Sequence, residues 1–402
     1  MARPRTITGD QKLLIALMHS ESGMTNEAIA ARMHISPSSV SKIIQGCFKE
    51  GRLRLVFSRD DLSLEQLDSL NDLVTGTADL KRRLAAAEKD PAAVVREPEV
   101  RVFDSGGNDT TPAGWAARLE AFGRAAAPYI GDLIANADVV GTSWGDTPDA
   151  VIRAIGDCPP LRPKHPIQFF GVCGEMLDGP PRKVSASSLA HRLDQVVNGD
   201  PLHSHCQWLA GVPSRLPEPK PGSKDSLTAE ECEAVRHYIC LLPGYRRVFG
   251  AHPDDRGSNS RGKPLIDRVD LILTSCGPKE RPLGYRGAQE LLSAGLSLRE
   301  SHRLVLGDIS GYLLKDPKVD DRGRIAAINS RLVSPNILEK FRACSARALA
   351  GRGSGTIVCA IGANKCDALL EIARLGLATR LVVDLDLARE LSRHLPPVPQ
   401  GS

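Results

Sequence analysis

Four stretches of this sequence end an apolar run on residues suited to holding a small polar ligand. Val139, Val140 and Gly141 pass into Thr142, Ser143, Trp144, Gly145, Asp146 and Thr147, where hydroxyls, a glycine and the amides of a following helix suit a phosphate or a polyol. The run 271–275 leads to Cys276 and Gly277, Leu306 and Gly307 lead to the acid Asp308, and Ile361 with Gly362 leads to Lys365 at a helix start. The Asp308 carboxylate suits sugar hydroxyls, and the Lys365 ammonium suits an anion. The same residues also read as a capped helix start beside a packed tryptophan, with Lys365 a plain surface lysine.

What would bring them together is the alternation of strands and helices. Strand-like runs at 100–103, 138–141, 167–171, 271–275, 303–306, 356–361 and 380–383 are separated by helical stretches at 114–136 and from 149 onward. That pattern predicts an α/β doubly wound sheet, in which ligands gather at the carboxyl ends of the strands. The proline-rich stretch 211–222 and the polar stretch 254–263 read as surface loops or insertions.

The head of the chain carries a different chemistry. Asp10 can cap a helix with Leu13, Leu14, Leu17 and Met18 on one face. A second helix from about Thr25 to His34 turns Ile29, Ala30 and Met33 inward. Ser36 is a good N-cap and Pro37 fits the first position of a third helix, which runs to about Glu50 with Val40, Ile43 and Ile44 inward. That leaves Ser38, Ser39, Ser41, Lys42 and Gln45 outward, as in the recognition helix of a helix-turn-helix. Lys42 can neutralise a phosphate or read guanine, and Gln45 can pair with adenine. After Gly51, residues 52–57 alternate as a wing-like strand with Arg52 and Arg54 on one face. A three-helix docking scaffold has the same pattern, but this segment is locally basic, which favours DNA.

Bulk properties set the limits. The 402 residues imply two or more domains, and 42% hydrophobic with 25% charged residues is a folded globular composition. With 52 basic and 48 acidic residues the net charge is +4, so only local charge can argue for nucleic acid. An aromatic content of 4% speaks against a stacking platform for single strands. No apolar run approaches the roughly 18 residues of a bilayer span, and no signal segment is evident, so a cytoplasmic location and no membrane partner are expected. The ten cysteines stand singly without CxxC spacing, as free thiols of a reducing compartment. His203, His205 and Cys206 lack a fourth ligand at a regular offset, so neither a metal nor a cofactor is expected.

Taken together, the stretches IAARMHISPSSVSKIIQGCFKEGRLRL, RLEAFGRAAAPYI, ADVVGTSWGDTPDAV, VDLILTSCG, LGDISGYLLKD and GTIVCAIGANKCDALLEIARLGLATRLVVDLDLARELS are similar, in order, to the landmarks of the SorC family of sugar-responsive bacterial transcription regulators. The resemblance covers residues 10–57 and, with gaps, 115–395. It implies an effector domain of the ribose-5-phosphate isomerase or glucosamine-6-phosphate deaminase-like fold, a sugar phosphate or related metabolite as effector, and tetrameric assembly. On the same resemblance, effector contacts fall on Thr142, Ser143, Trp144, Gly145, Thr147, Gly277, Asp308 and Lys365. The sequence departs from the family pattern where Ala363 and Asn364 replace paired glycines before Lys365, and where Ser275 and Cys276 precede Gly277 in place of a Gly-Ile-Gly turn. Residues 63–98 and 218–262 are also longer than that pattern.

The organisation expected is therefore a winged helix-turn-helix domain at 1–60, a linker helix and hinge at 61–98, and an α/β effector and oligomerisation domain at 99–398. The leucine stripe at 64–84 either pairs with a second subunit or covers the domain behind it. The function expected is a non-enzymatic DNA-binding regulator whose operator binding responds to a sugar-class effector, working as a homodimer or homotetramer because one recognition helix reads few base pairs. The rival readings are a sugar-phosphate isomerase or deaminase, with Asp308 or His302 as base, and a protein-docking module with a degenerate pocket.

Overall fold

The computed structural model describes residues 7–20, 24–49, 77–106, 111–159, 161, 163–175, 184–199, 203–209, 211–216, 227–250, 263–280, 283, 291 and 296–396. The chain divides into two compact units, Met1–Leu67 and Asp68–Ser402.

The first unit contains helices α1 (Gly9–Ser20), α2 (Asn26–Met33) and α3 (Pro37–Lys49) around Ile15, Ile29, Ala30, Val40 and Ile44. Thr8 caps α1: its Oγ1 accepts from the Gln11 amide and its own amide donates to Gln11 Oε1 at 3.1 Å, while the side chain of Asp10, expected to cap this helix, lies outside those described. The buried face of α1 also differs from the expected stripe. Ile15 and Ala16 are fully buried while Leu14 is 45% exposed. Thr25 Oγ1 caps α2, which ends at His34 in a left-handed conformation, and Ser36 Oγ accepts from the Ser39 amide at the start of α3. The wing-like strand with Arg52 and Arg54 lies outside the described residues.

The second unit is built on a seven-stranded sheet. Its strands are β1 (Glu99–Phe103), β2 (Val139–Thr142), β3 (Gln168–Gly171), β4 (Cys206–Gln207), β5 (Leu271–Thr274), β9 (Gly355–Ala360) and β10 (Arg380–Asp384). They run all parallel in the order β1-β10-β9-β5-β2-β3-β4. Such strands are apolar on both faces because helices cover both. Leu271, Leu273, Ile357 and Cys359 face the layer made by α5 (Pro112–Ala135), α6 (Asp146–Gly156) and α7 (Ala186–Val197). Ile272, Val358 and Ala360 face the opposite layer, with Phe341 of α12 (Ile337–Leu349), Ile372 of α13 (Cys366–Arg374) and Leu387 of α14 (Leu385–His394).

From β2 the order runs through β3 and β4 to one edge, while β5, β9 and β10 lie on the other side. The crevice between the ends of β2 and β5 is thus the place where strand order reverses.

A three-stranded antiparallel sheet, absent from the sequence reading, follows β5. It pairs β6 (Cys276–Pro278) with β7 (Val305–Ile309) and β7 with β8 (Tyr312–Lys315). The turn between β7 and β8 is Ser310-Gly311, both residues at positive φ, as a tight hairpin of the right twist requires. α10 (Leu298–Leu304) extends through residues expected to open β7, and α11 (Arg324–Asn329) closes the far side of this sheet's own apolar cluster.

In the linker region, Leu80 and Leu84 of α4 (Thr77–Ala86) are buried in the core of the α/β unit. The following run is bonded to the same unit, through the Asp90 amide to Arg374 O and the Glu99 amide to Thr379 O, both at 2.9 Å. Residues 64–76 of the leucine stripe lie outside the described residues. α8 (Ala229–Leu241) and α9 (Pro243–Phe249) pack beyond β4. Among the described residues no helix is long and apolar enough to cross a membrane, and no group of His, Cys, Asp and Glu is arranged to hold a metal ion.

Candidate functional site

On α3, Val40, Ile44 and Cys47 are buried against the other two helices, which fixes the rotation of the helix. Ser38, Lys42 and Gln45 are exposed, and Ser39 and Ser41 half-exposed. The Ser36 hydroxyl also bonds the Ser38 and Ser39 hydroxyls at 2.9 and 2.8 Å, so the serines at the helix start form a compact cluster. The arrangement presents short polar groups followed by one cation and one amide, spaced three residues apart on one face.

In the α/β unit, the stretches singled out in the sequence lie together at the reversal crevice. Gly145, at the start of α6, stands beside Ser275 after β5, and Ser275 Oγ accepts from Lys365 Nζ at 3.5 Å. Gly277 is the register partner of Asp308 across β6 and β7. Asp308 in turn bonds the amide of Gly311, and Gly311 carries the Trp144 ring against its Cα. These contacts form a continuous ring of residues drawn from the ends of β2, β5, β7 and β9.

The hydroxyls at the end of β2 point into the protein. Thr142 Oγ1 donates to Ala186 O at 2.8 Å. Ser143 Oγ is 2.7 Å from Thr274 Oγ1, which is 3.0 Å from Ser310 Oγ, a buried hydroxyl chain that ties β2 to β5 and to the hairpin turn. Thr147 is buried in the first turn of α6. Trp144, Gly145 and Gly277 are the residues of the set that keep part of their surface open.

Asp308 is 3% exposed and Lys365 8%. Asp308 Oδ1 accepts from the Leu283 amide at 2.6 Å and Oδ2 from the Gly311 amide at 3.4 Å. Burial pushes this carboxyl above the usual carboxylate range, against the pull of those amides and of the Arg215 and Lys365 charges. Burial likewise pushes the neighbouring Cys276 thiol up to about 11, despite Lys365, so it is a thiol rather than a thiolate.

The turn that carries Lys365 is held by Asp384 at the end of β10. Asp384 Oδ1 accepts from the Gly362 and Leu387 amides, each at 3.1 Å. Its Oδ2 accepts from Arg118 Nη2 of α5 at 2.6 Å and from Ser105 Oγ at 3.0 Å. This fully buried carboxylate is therefore paired with a cation and hydrogen-bonded throughout, the condition for a buried charge to be tolerated.

Sequence reasoning missed Arg215 and Glu175. Arg215 lies in the stretch expected to be a surface loop, yet it is buried and its guanidinium donates to Gly311 O. Pro213 and Arg215 bridge to Glu175 and Leu332, and Val212 and Leu216 join the core, which corrects the surface-loop reading for residues 211–216. The signal was available in part: Val212, Ser214 and Leu216 recur at every second residue, and all three are buried. His302, weighed as a base, is exposed on α10, with Nε2 2.9 Å from Glu280 O.

Residues 6–52 match the homeodomain-like domain family, a helix-turn-helix class. No curated protein matches the chain. Among solved structures, the chain is similar to the full-length sorbitol operon regulator SorC from Klebsiella pneumoniae, at 17% identity and a TM-score of 0.51, over 95% of this chain and 98% of that one. It is similar also to the probable sor operon regulator from Shigella flexneri, at 16% identity and 0.51, over 80% of this chain and 99% of that one. A transcriptional regulator from Streptococcus pneumoniae gives 13% identity and 0.51, over 80% and 98%. The fold is thus that of a helix-turn-helix head followed by a parallel α/β unit. Its structural neighbours are transcription regulators, SorC among them.

Proposed function

We propose that the protein is a transcription regulator that binds an operator through α3 and responds to a small sugar-class effector in the crevice between β2 and β5. The observation that carries the reading is the pairing of two separate sites in one chain. One is an outward polar face on a helix-turn-helix, and the other is a ring of strand-end residues at the point of strand reversal, where ligands of such sheets bind.

In this reading Lys42 and Gln45 read base edges or phosphates, the serines of α3 allow close approach to the backbone, and Arg52 and Arg54 contact phosphates. The effector would touch Trp144, Gly145, Gly277, Asp308 and Lys365, with Thr142, Ser143 and Thr147 shaping the crevice from beneath. We assign the α/β unit to the ribose-5-phosphate isomerase or glucosamine-6-phosphate deaminase-like group. The whole would act as a homodimer or homotetramer, because two recognition helices are needed to read two half-sites.

The direct test is a gel shift of the full chain on the DNA upstream of its own gene, with and without added sugars, alongside a turnover assay on sugar phosphates. Specific retardation that a sugar changes, with no turnover, supports the proposal. Turnover without specific retardation overturns it.

A further inference from the structure

We infer that the α/β unit holds a second binding site, separate from the crevice, for a small organic acid: a carboxylate carried on a flat or branched apolar body. The site is a cavity of about 870 Å³ walled by residues of α8, α9, β8, α11 and α12. That volume lies within the roughly 300–1,000 Å³ of small-molecule sites. Among the described residues that line it, none belongs to the ring at the crevice.

Aromatic rings make much of its apolar wall. Tyr245 and Phe249 stand one turn apart on α9 with ring centres 5.1 Å apart, Tyr312 opens β8, and Leu332 and Leu338 add aliphatic surface. The wall is anchored to the core behind it. Tyr245 Oη donates to Val333 O at 3.3 Å, and Ser334 Oγ donates to Val172 O at 2.9 Å. A surface held in this way takes an apolar body without first having to be ordered.

Two guanidinium groups act on that wall. Burial pushes the Tyr312 hydroxyl up, and the Arg342 charge of α12 pulls against it; burial pushes the Tyr245 hydroxyl up, and the Arg236 charge of α8 pulls against that. A ligand lying along the rings therefore meets a cation near the hydroxyl of either tyrosine.

Arg342 is the stronger anchor of the two. Its side chain is 14% exposed, and among the described residues no acceptor meets its buried Nε. Its Nη1 pairs with Glu339, three residues earlier on α12, at 2.5 Å. That carboxylate is 65% exposed, so water screens the pair and leaves much of the buried charge unanswered. A buried donor without an acceptor is costly, and the planar fork of a guanidinium fits a carboxylate through two parallel bonds. An acid bound in the cavity answers the charge from the inner, low-dielectric side, whereas a neutral ligand of the same shape does not.

Calorimetric titration of the full chain tests this, with benzoate, phenylacetate, indole-3-acetate and 4-methylpentanoate as probes, each beside its neutral amide. The expected result is that at least one of these acids binds at least about tenfold tighter than its amide. Arg342→Gln should bring that acid down to the affinity of the amide. Ala326→Trp, which fills the cavity from an exposed position on α11 and alters no charge, should abolish binding of both. Melting temperatures of the unliganded variants check that they fold, and Ala326→Trp keeps the test decisive if Arg342→Gln does not. No binding by any probe at millimolar concentration, an amide that binds as well as its acid, or acid binding undiminished in folded Ala326→Trp overturns the inference.

Discussion

Gly277 and Asp308 face each other across β6 and β7 so closely that a β-carbon on residue 277 would overlap Asp308 Oδ1 and stand 3.1 Å from its Cγ. The carboxylate cannot simply swing away, because the Leu283 amide holds the same oxygen. Gly277→Ala should therefore displace Asp308 within an otherwise intact fold, at a cost of about 1–3 kcal/mol in stability. Its effector affinity should fall about tenfold or more, with sugar-free DNA binding unchanged. Calorimetry and gel shift on the same preparation check both halves; unaltered effector affinity would detach Gly277 from the site.

The Arg118–Asp384 pair gives a prediction about stability. Arg118→Met leaves a fully buried carboxylate without its cation, a change that typically costs about 3–5 kcal/mol. Because Asp384 also anchors the Gly362 amide, the same variant should loosen the turn that presents Lys365. Denaturant unfolding measures the first effect. A loss below about 1 kcal/mol would mean that Asp386, which also bonds Arg118, rearranges to share the pair's role.

Asp308 makes stability depend on pH. Burial holds its carboxyl above the ordinary value of 3.8, so the folded state binds this proton more tightly than the unfolded chain does. Stability from this group is then present below that ordinary value and is lost as pH rises through the raised one. Wild type should accordingly lose stability relative to Asp308→Asn as the pH is raised from about 4 to about 7. Melting temperatures of the two proteins, compared across that range, give the slope. A constant difference would show that the carboxyl titrates at its ordinary position.

At the other end of the chain, Lys42 and Gln45 are exposed on α3 while Val40 and Ile44 anchor it. Replacing both polar residues by alanine should weaken operator binding about a hundredfold or more, at about 1–3 kcal/mol per contact, and leave the melting temperature unchanged. Sequence-specific binding retained by the folded double variant would move the reading surface elsewhere.

Much of this was legible in the sequence because parallel strands buried on both faces read as continuous apolar runs, and the runs ending at Gly141, Thr274 and Ala360 are of that kind. The third helix was legible for a similar reason, since Ser36 and Pro37 mark its start chemically. The first helix was less legible. Its cap at Thr8 is marked by a reciprocal bond with Gln11, a pair three residues apart. Leu14 and Ile15 are equally apolar, so periodicity alone did not decide which one faces inward.

The crevice itself was half legible. Residue types announced Asp308 and Lys365, whereas Arg215 reaches them through a tertiary approach of a stretch far away in sequence, which no local pattern encodes. The hydroxyls of Thr142 and Ser143 looked like ligand donors, and only the fold reveals that Ala186 and Thr274 take them.

The central claim, that occupancy of the crevice governs DNA binding, is tested most directly by fluorescence anisotropy of the full chain on its upstream DNA. The effector sugar is titrated into wild type and Lys365→Ala. The account predicts that the sugar shifts wild-type DNA affinity by about 5–150-fold, a coupling of about 1–3 kcal/mol. Lys365→Ala should need a higher sugar concentration for the same shift, with its sugar-free DNA affinity unchanged. A response at the same sugar concentration in both proteins, or no sequence-specific DNA binding by either, would contradict it.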